Sequence, residues 1–182
     1  MRNQELTAIE AKIYKSIPIS DEEHNKLRKA LKTGDKQEKI YVARLLSRLK
    51  CKDDLKFILP LLYMDNNTLS LIEAVASYGN EEVKKLESFL EDKEKKSKYL
   101  RENLIRIFVF TSSPEYIYIF IKYLNDDFNR VRDACIHGIT KLSAVEAIEP
   151  LKKLILNEKD ISVKKYAQAT LEMLEQQHRT RV

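Results

Sequence analysis

Three histidines and two cysteines are the side chains of this 182-residue sequence with the widest chemical repertoire. The histidines are His24, His137 and His178, and the cysteines are Cys51 and Cys135. No H-E-x-x-H motif, C-x-x-C motif or local Cys/His cluster occurs, so the linear sequence holds no metal-site pattern. We therefore predict no metal, no cofactor and no catalytic residue.

The scarcity of glycine removes two further kinds of site. Glycine occurs only at Gly34, Gly79 and Gly138, which leaves no glycine-rich phosphate loop and no G-x-S-x-G nucleophile elbow. Carboxylates are plentiful, but on amphipathic helices they usually form a solvated face. The cysteines are far apart in sequence, and Cys135 lies in an apolar helical pattern. We expect both to be reduced packing residues.

Charge and hydropathy limit the classes of protein to which this chain can belong. Lys and Arg number 33 against 28 Asp and Glu, and both signs are mixed along the chain. No stretch approaches the ~20 apolar residues of a bilayer span, and residues 1–10 lack the pattern of a secretory signal. We expect a cytoplasmic protein. With 3 Gly and 4 Pro in the chain, long helices are favoured over sheets.

The elements that position these residues repeat along the sequence. Residues 125–142 align with residues 157–174 without a gap, at an offset of 157 − 125 = 32 residues. Val131 matches Val163, and both precede further apolar residues at helical spacing. Weaker copies align with the 125–142 segment at offsets of 34, 64 and 93, at residues 90–108, 65–78 and 35–49. Copies spaced by roughly thirty residues predict a solenoid of helix pairs.

The predicted fold is all-α and occupies residues 1–182 as a single domain. Leu6, Ile9 and Ile13 form one apolar stripe that predicts an N-terminal capping helix. Pro60 and Pro150 are predicted to interrupt or kink their helices. The predicted parts are the capping helix at 3–16, repeats at 20–49, 52–78, 81–109, 114–142 and 145–175, and a tail at 176–182.

The best copies resemble a known family of repeats. Ala147-Ile148-Glu149-Pro150-Leu151 opens the last copy, and Val131-Arg132-Asp133-Ala134-Cys135 carries the second half of the copy before it. These residues resemble HEAT repeats, particularly the bacterial subclass first noted in phycobilisome lyases, over about residues 114–175. The resemblance implies a bacterial protein with a right-handed, armadillo-type α-solenoid of about five helix pairs and a binding role. It implies no particular partner.

The second helix of each pair lines the concave side of such solenoids, so its outward positions predict the binding face. In this register, His137 shares a column with Arg44, Glu73 and Asn103. Tyr99 has two interpretations, as an interface anchor or as a ring that packs on the next repeat. The predicted partner-binding residues are Arg44, Arg48, Glu73, Tyr99, Asn103, Arg106, Asp133, His137 and Lys141.

Aromatic residues offer a second candidate surface. The four tyrosines and phenylalanines from 116 to 123 crowd the predicted first helix of the fourth repeat, and Phe108 and Phe110 lie just before it. Core packing explains most of them, and any exposed surplus would form a convex patch. The residues are Phe108, Phe110, Tyr116, Tyr118, Phe120 and Tyr123.

Two classes of function remain open. The favoured one is a non-catalytic protein–protein interaction module that binds through the concave face, as a toxin-neutralising immunity protein or as a scaffold or regulatory subunit. The alternative is a nucleic-acid-binding protein, including an alkylbase DNA glycosylase, although the chain has no Trp. In that alternative, arginines would track phosphates rather than pair with neighbouring acids; they are Arg44, Arg48, Arg101, Arg106, Arg130 and Arg132. The oligomeric state is not predicted.

Overall fold

The computed structural model describes residues 4–65, 69–91 and 97–181, and the regular structure in these ranges is helical. Contacts group the chain into two units, an N-terminal unit of residues 1–85 and a C-terminal unit of residues 86–182. In each unit, consecutive helices pack in adjacent pairs. The fold is an all-α solenoid of HEAT-like helix pairs. Among the described helices, none has the length and hydropathy that crossing a bilayer requires.

The N-terminal unit begins with a helix that buries the predicted apolar stripe. Leu6, Ile9 and Ile13 are buried on this helix, which packs against the third; residue 3, where the predicted capping helix starts, lies outside the described residues. The helices of this unit are α1 (Gln4–Tyr14), α2 (Asp21–Thr33), α3 (Lys36–Leu49), α4 (Leu55–Ile58), α5 (Leu69–Ala76) and α6 (Asn80–Lys84).

Helix α2 has defined signals at both ends. The Ser20 hydroxyl accepts a hydrogen bond from the Glu23 amide, and the Glu23 carboxylate accepts one from the Ser20 amide. This capping box satisfies two amides that the first helical turn leaves free. At the other end, the Gly34 amide donates to the Ala30 carbonyl. Gly34 has φ −66°, so it ends the helix in an extended conformation rather than a left-handed one.

Pro60 interrupts the helix in which it lies. Helix α4 ends at Ile58 and continues as the 3-10 segment Leu59–Tyr63, with Pro60 in its first turn. A proline inside a helix has no amide hydrogen to donate and clashes with the preceding turn. The predicted interruption therefore occurs as a change from α-helix to 3-10 helix.

The C-terminal unit consists of longer, more regular helix pairs. Helix α8 packs on α10, and α10 packs on both α9 and α12. The rings of Phe108 and Tyr116 stack with their centroids 4.6 Å apart, and Phe120 is also fully buried. Its helices are α7 (Glu87–Glu91), α8 (Lys98–Thr111), α9 (Ile117–Tyr123), α10 (Asn129–Leu142), α11 (Ile148–Asn157) and α12 (Ile161–Arg181).

Two predictions for the last repeat need correction. Helix α12 continues to Arg181, so the predicted tail at 176–182 is helical as far as the described residues extend. Pro150 does not kink its helix, because α11 begins at Ile148. The proline therefore lies in the first helical turn, where the amide that it lacks would have no helical partner.

A recurring junction fixes the register of the repeats. Lys50, Ser112 and Ser143 follow α3, α8 and α10 in the left-handed conformation, with φ of 56°, 56° and 49°. Aligning the three repeats on these left-handed residues gives sequence offsets of 143 − 112 = 31 and 143 − 50 = 93. The offset of 93 agrees with the sequence alignment. The offset of 34 for the third repeat is wrong by three residues, and the shift changes which α8 side chains face outward.

Candidate functional site

Polar contacts join the second helices of successive helix pairs in the C-terminal unit, which are α8, α10 and α12. Arg130 Nη2 on α10 donates to Glu102 Oε1 on α8 over 2.9 Å. The Thr140 and Thr170 hydroxyls, on α10 and α12, lie 2.9 Å apart. These bonds hold three helices in a row, and we call the outward-facing side chains of this row the second-helix face.

The corrected register explains where the face places its α8 residues. Asn103 aligns with Ala134 on α10, since 134 − 103 = 31, and it is only 2% exposed. A buried Asn103 contradicts the prediction that it faces outward. Arg106 instead aligns with His137, and its side chain is 38% exposed. The guanidinium of Arg106 lies 3.5 Å from the buried Glu102 carboxylate.

Asp133 and His137 occupy the middle of the second-helix face, one turn apart on α10. Both residues are exposed. Burial nevertheless raises the pKa of the Asp133 carboxyl group, Asp160 adds to the rise, and His137 and Arg106 oppose it. Asp133 is therefore an exposed residue whose carboxyl group neighbouring protein atoms partly desolvate.

Tyr99 and Lys141 have partners within the chain. The Tyr99 ring meets the Phe128 ring edge-on, with centroids 6.0 Å apart, which supports the packing interpretation of Tyr99. Lys141 Nζ donates to the Val109 carbonyl over 3.1 Å and lies 5.7 Å from the centroid of the Phe110 ring. Lys141 thus satisfies a carbonyl group near the end of α8, and the residue remains exposed.

The predicted site residues of the N-terminal unit form a separate group. Arg44 on α3 and Glu73 on α5 are exposed, and these two helices pack together. The Arg48 guanidinium lies 4.4 Å from the centroid of the Tyr14 ring, a distance at which a cation is attracted to the ring face.

Two of the arginines that would track phosphates are held by carboxylates. Arg101 binds both oxygens of Asp126, over 2.6 and 2.9 Å. Arg132 binds both oxygens of Glu158, each over 2.6 Å. Arginine in such a two-bond pair is fixed in position and neutralised, so neither guanidinium is presented to a ligand.

The aromatic candidate surface is largely core. Phe108, Tyr116 and Phe120 are fully buried, and the partly buried Tyr123 donates its hydroxyl hydrogen to the Leu90 carbonyl. Tyr118 is exposed and donates to Glu87. Core packing therefore explains most of this cluster, and its exposed members are Phe110 and Tyr118.

The structure also assembles a cluster that the sequence does not reveal. One donor atom from each of His24, Cys51 and Asp54 lies within 4.8 Å of the other two. Cys51 and Asp54 are three residues apart, but His24 is on a different helix and far away in sequence, so no motif links the three. A mixed nitrogen, sulfur and oxygen donor set can bind a transition metal.

The comparison with protein families assigns the repeats. Residues 83–172 match the sequence model for HEAT repeats. This segment belongs to the HEAT-repeat family. The match begins near the end of α6 and covers the remaining helices up to α12. HEAT repeats commonly mediate protein interactions and are typically non-catalytic. A search of curated proteins found no match.

Proposed function

We propose that this HEAT-repeat protein is a non-catalytic interaction module that binds a partner protein on the second-helix face of its C-terminal unit. The observation that carries the proposal is the group of accessible polar side chains that α8 and α10 bring together, Asp133, His137 and Arg106. Acidic Asp133 interacts electrostatically with His137 and Arg106, so the second-helix face presents both donors and acceptors. Polar groups of both kinds on one face suit a protein surface, where specificity comes from charge complementarity.

The charges favour a protein partner over a nucleic acid. Nucleic-acid affinity comes mainly from cations that neutralise phosphates, whereas Arg101 and Arg132 are already paired with Asp126 and Glu158. Arg130 is paired with Glu102. An alkylbase glycosylase would need a basic channel beside an unpaired carboxylate. Each buried carboxylate among the described residues instead has a basic partner; they are Asp54, Glu82, Glu102 and Glu158.

A photo-crosslinking experiment tests the face directly. A photoreactive amino acid replaces His137 in one variant and Lys153 in another, and each is irradiated in extract of the native host. Lys153 is exposed on α11, in the same unit but on a first helix. We expect one protein to be cross-linked from position 137 and not from position 153. Equal cross-linking from both positions would remove the proposed face.

Charge reversal supplies the matched functional control. The double variant Asp133→Lys with His137→Glu should lose the captured partner, while Lys153→Glu should retain it, because Lys153 is exposed on the first helix α11. Circular dichroism confirms that both variants remain folded. Capture that nuclease treatment abolishes would replace the protein partner with a nucleic acid.

The identity of the captured protein distinguishes between the two proposed roles, which are toxin neutralisation and a scaffold or regulatory role. A toxin-neutralising protein would capture one protein whose activity falls when the complex forms. A scaffold or regulatory subunit would capture a protein whose activity persists or changes in specificity. An enzymatic assay of the captured protein, with and without the Asp133→Lys, His137→Glu variant, distinguishes these outcomes.

A further inference from the structure

The cluster of His24, Cys51 and Asp54 lies at the start of the second helix pair in the N-terminal unit. His24 Nε2 is 2.7 Å from Asp54 Oδ2. Asp54 is fully buried, whereas His24 and Cys51 are partly buried. The Asp54 amide donates to the Cys51 carbonyl over 3.0 Å, so a tight turn brings the carboxylate and the sulfur to the same side.

The repeat fold does not require polar residues at these positions. Each of these three left-handed junction residues is followed by one non-helical residue and a 3-10 turn whose third residue is buried. That third residue is Asp54 in the second repeat, but it is Tyr116 in the fourth and Ala147 in the fifth. The chain thus builds the same junction twice without a carboxylate. At the junction after α3 it places a buried carboxylate beside a cysteine and a histidine.

Arg28 is arranged as an outer partner of the cluster. Arg28 Nε donates to Asp54 Oδ1 over 2.7 Å, and its Nη2 lies 3.8 Å from Cys51 Sγ. The guanidinium therefore contacts the oxygen that His24 does not use. Outer partners of this kind orient ligating side chains and stabilise their deprotonated forms.

Tyr78 adds an unpaired polar group near the cluster. Its hydroxyl oxygen is buried and has no hydrogen-bond partner among the described residues. Asp54, Cys51 and Arg28 all act on this hydroxyl electrostatically, so it belongs to the same neighbourhood.

We propose that His24, Cys51 and Asp54 bind a single divalent transition-metal ion of the zinc type, with Arg28 as an outer partner. Zinc accepts imidazole nitrogen, thiolate sulfur and carboxylate oxygen at about 2.0–2.3 Å. Ligand atoms in a tetrahedral shell of that radius are about 3.3–3.8 Å apart. On binding, the 2.7 Å separation of His24 Nε2 and Asp54 Oδ2 therefore lengthens, and donor atoms that lie up to 4.8 Å apart move closer. The Cys51 thiol releases its proton as the metal–sulfur bond forms, and the ion replaces the hydrogen bond between His24 and Asp54.

The test uses the full chain, reduced and freed of metal. Zn²⁺ is titrated in competition with a chromophoric chelator, and Co²⁺ is added separately because its absorption reports the ligands. We expect one equivalent of Zn²⁺ to bind and the Co²⁺ complex to show a thiolate-to-cobalt charge-transfer band. Absence of binding, or a Co²⁺ complex without that band, would overturn the proposal and leave the cluster as a structural ion pair.

Single substitutions identify the ligands. Cys51→Ser should abolish the charge-transfer band, and both Cys51→Ser and His24→Gln should weaken Zn²⁺ binding by more than about 100-fold. Arg28→Lys should weaken it by about 10- to 100-fold, the range for outer partners. Cys51 is only partly buried, so its serine variant should fold even if an Asp54 variant does not.

The controls use the remaining residues of the same types. Cys135→Ala and His178→Gln should bind Zn²⁺ like the unmodified chain, because neither residue is a member of the cluster. Cys135 is fully buried in the C-terminal unit, and His178 is exposed on α12. Binding that survives Cys51→Ser, or that Cys135→Ala removes, would show that the proposed ligands are wrong.

Discussion

At the scale of single residues, buried ion pairs hold successive repeats of the C-terminal unit together. Arg132 on α10 reaches the segment between α11 and α12, where its partner Glu158 has a side chain only 1% exposed. Arg101 on α8 reaches Asp126, between α9 and α10, in the same way. Each pair therefore joins one repeat to the next. Removing one partner leaves the other charge buried and uncompensated.

Arg132→Ala should destabilise the protein by about 3 kcal/mol, the low end of the range for breaking a buried pair. Arg132 is the choice because its side chain is 14% exposed and its loss leaves Glu158 buried. Urea unfolding measures the change. Lys152→Ala is the control, since Lys152 pairs with Glu149 and Glu175 at the surface and its loss should have a much smaller effect. Equal effects of the two substitutions would contradict the prediction.

The Arg132–Glu158 pair also predicts how the free energy of unfolding depends on pH. The Arg132 guanidinium lowers the pKa of Glu158 below its ordinary value of 4.5 in the folded protein. The unfolded chain therefore takes up this proton first as the pH falls. The contribution of the pair is complete above pH 4.5 and is lost as the pH falls through the folded pKa.

Urea midpoints measured from about pH 7 to about pH 3 check this dependence. The unmodified chain should lose stability more steeply below pH 4.5 than Arg132→Ala does, because the variant no longer holds Glu158 ionised. Parallel pH profiles for the two proteins would mean that Arg132 does not lower the pKa of Glu158 in the folded protein.

At the scale of helices, the closeness of α9 and α10 depends on one glycine. A Cβ atom at Gly138 would lie 2.6–2.8 Å from three atoms of the Phe120 ring, and Phe120 is fully buried. Alanine in a helix is ordinarily favoured over glycine by about 0.5–1 kcal/mol. Here the overlap reverses the sign, since overpacking a core costs about 1–3 kcal/mol.

Gly138→Ala should therefore lower the free energy of unfolding by about 1–2 kcal/mol, measured by urea denaturation. The second half of the test makes the same substitution in a Phe120→Leu background. The smaller side chain gives the added methyl group room, so Gly138→Ala should become neutral or stabilising there. An equal loss in both backgrounds would show that the cost does not come from the Phe120 contact.

The sequence predicts some of these elements and not others, for physical reasons. Ser20 with Glu23 marks the start of α2, and the apolar spacing around Val131 marks the buried side of α10, because both signals are local. The register of α8 is misplaced by three residues. A shift of three or four positions keeps an apolar stripe nearly aligned, so periodicity alone does not fix it; the left-handed Ser112 does.

The side-chain sites are less predictable than the helices. Exposure of Asp133 and His137 on α10 follows from the repeat pattern, whereas the burial of Asn103 depends on the corrected register. The His24 cluster needs contact between segments about thirty residues apart. No periodic or motif-based signal carries that information, so only the folded chain reveals it.

At the scale of the whole molecule, stability in a repeat protein comes from each repeat and its contacts with its neighbours. Residues 86–182 contain most of the segment that matches HEAT repeats. Within these residues, α8, α10 and α12 are joined in sequence by the Arg130–Glu102 pair and the Thr140–Thr170 contact. A set of repeats with its own contacts should fold without the remainder of the chain.

The fragment 86–182 should therefore be helical and should unfold in one cooperative transition, monitored by circular dichroism and by agreement of calorimetric and van't Hoff enthalpies. The shorter fragment 113–182 lacks α8, and with it the Phe108–Tyr116 stack and the Glu102 partner of Arg130. It should lose cooperativity, because α10 then exposes the side that α8 covers. An unfolded 86–182 fragment would show that its core is incomplete, whereas cooperative unfolding of 113–182 would show that α8 is dispensable.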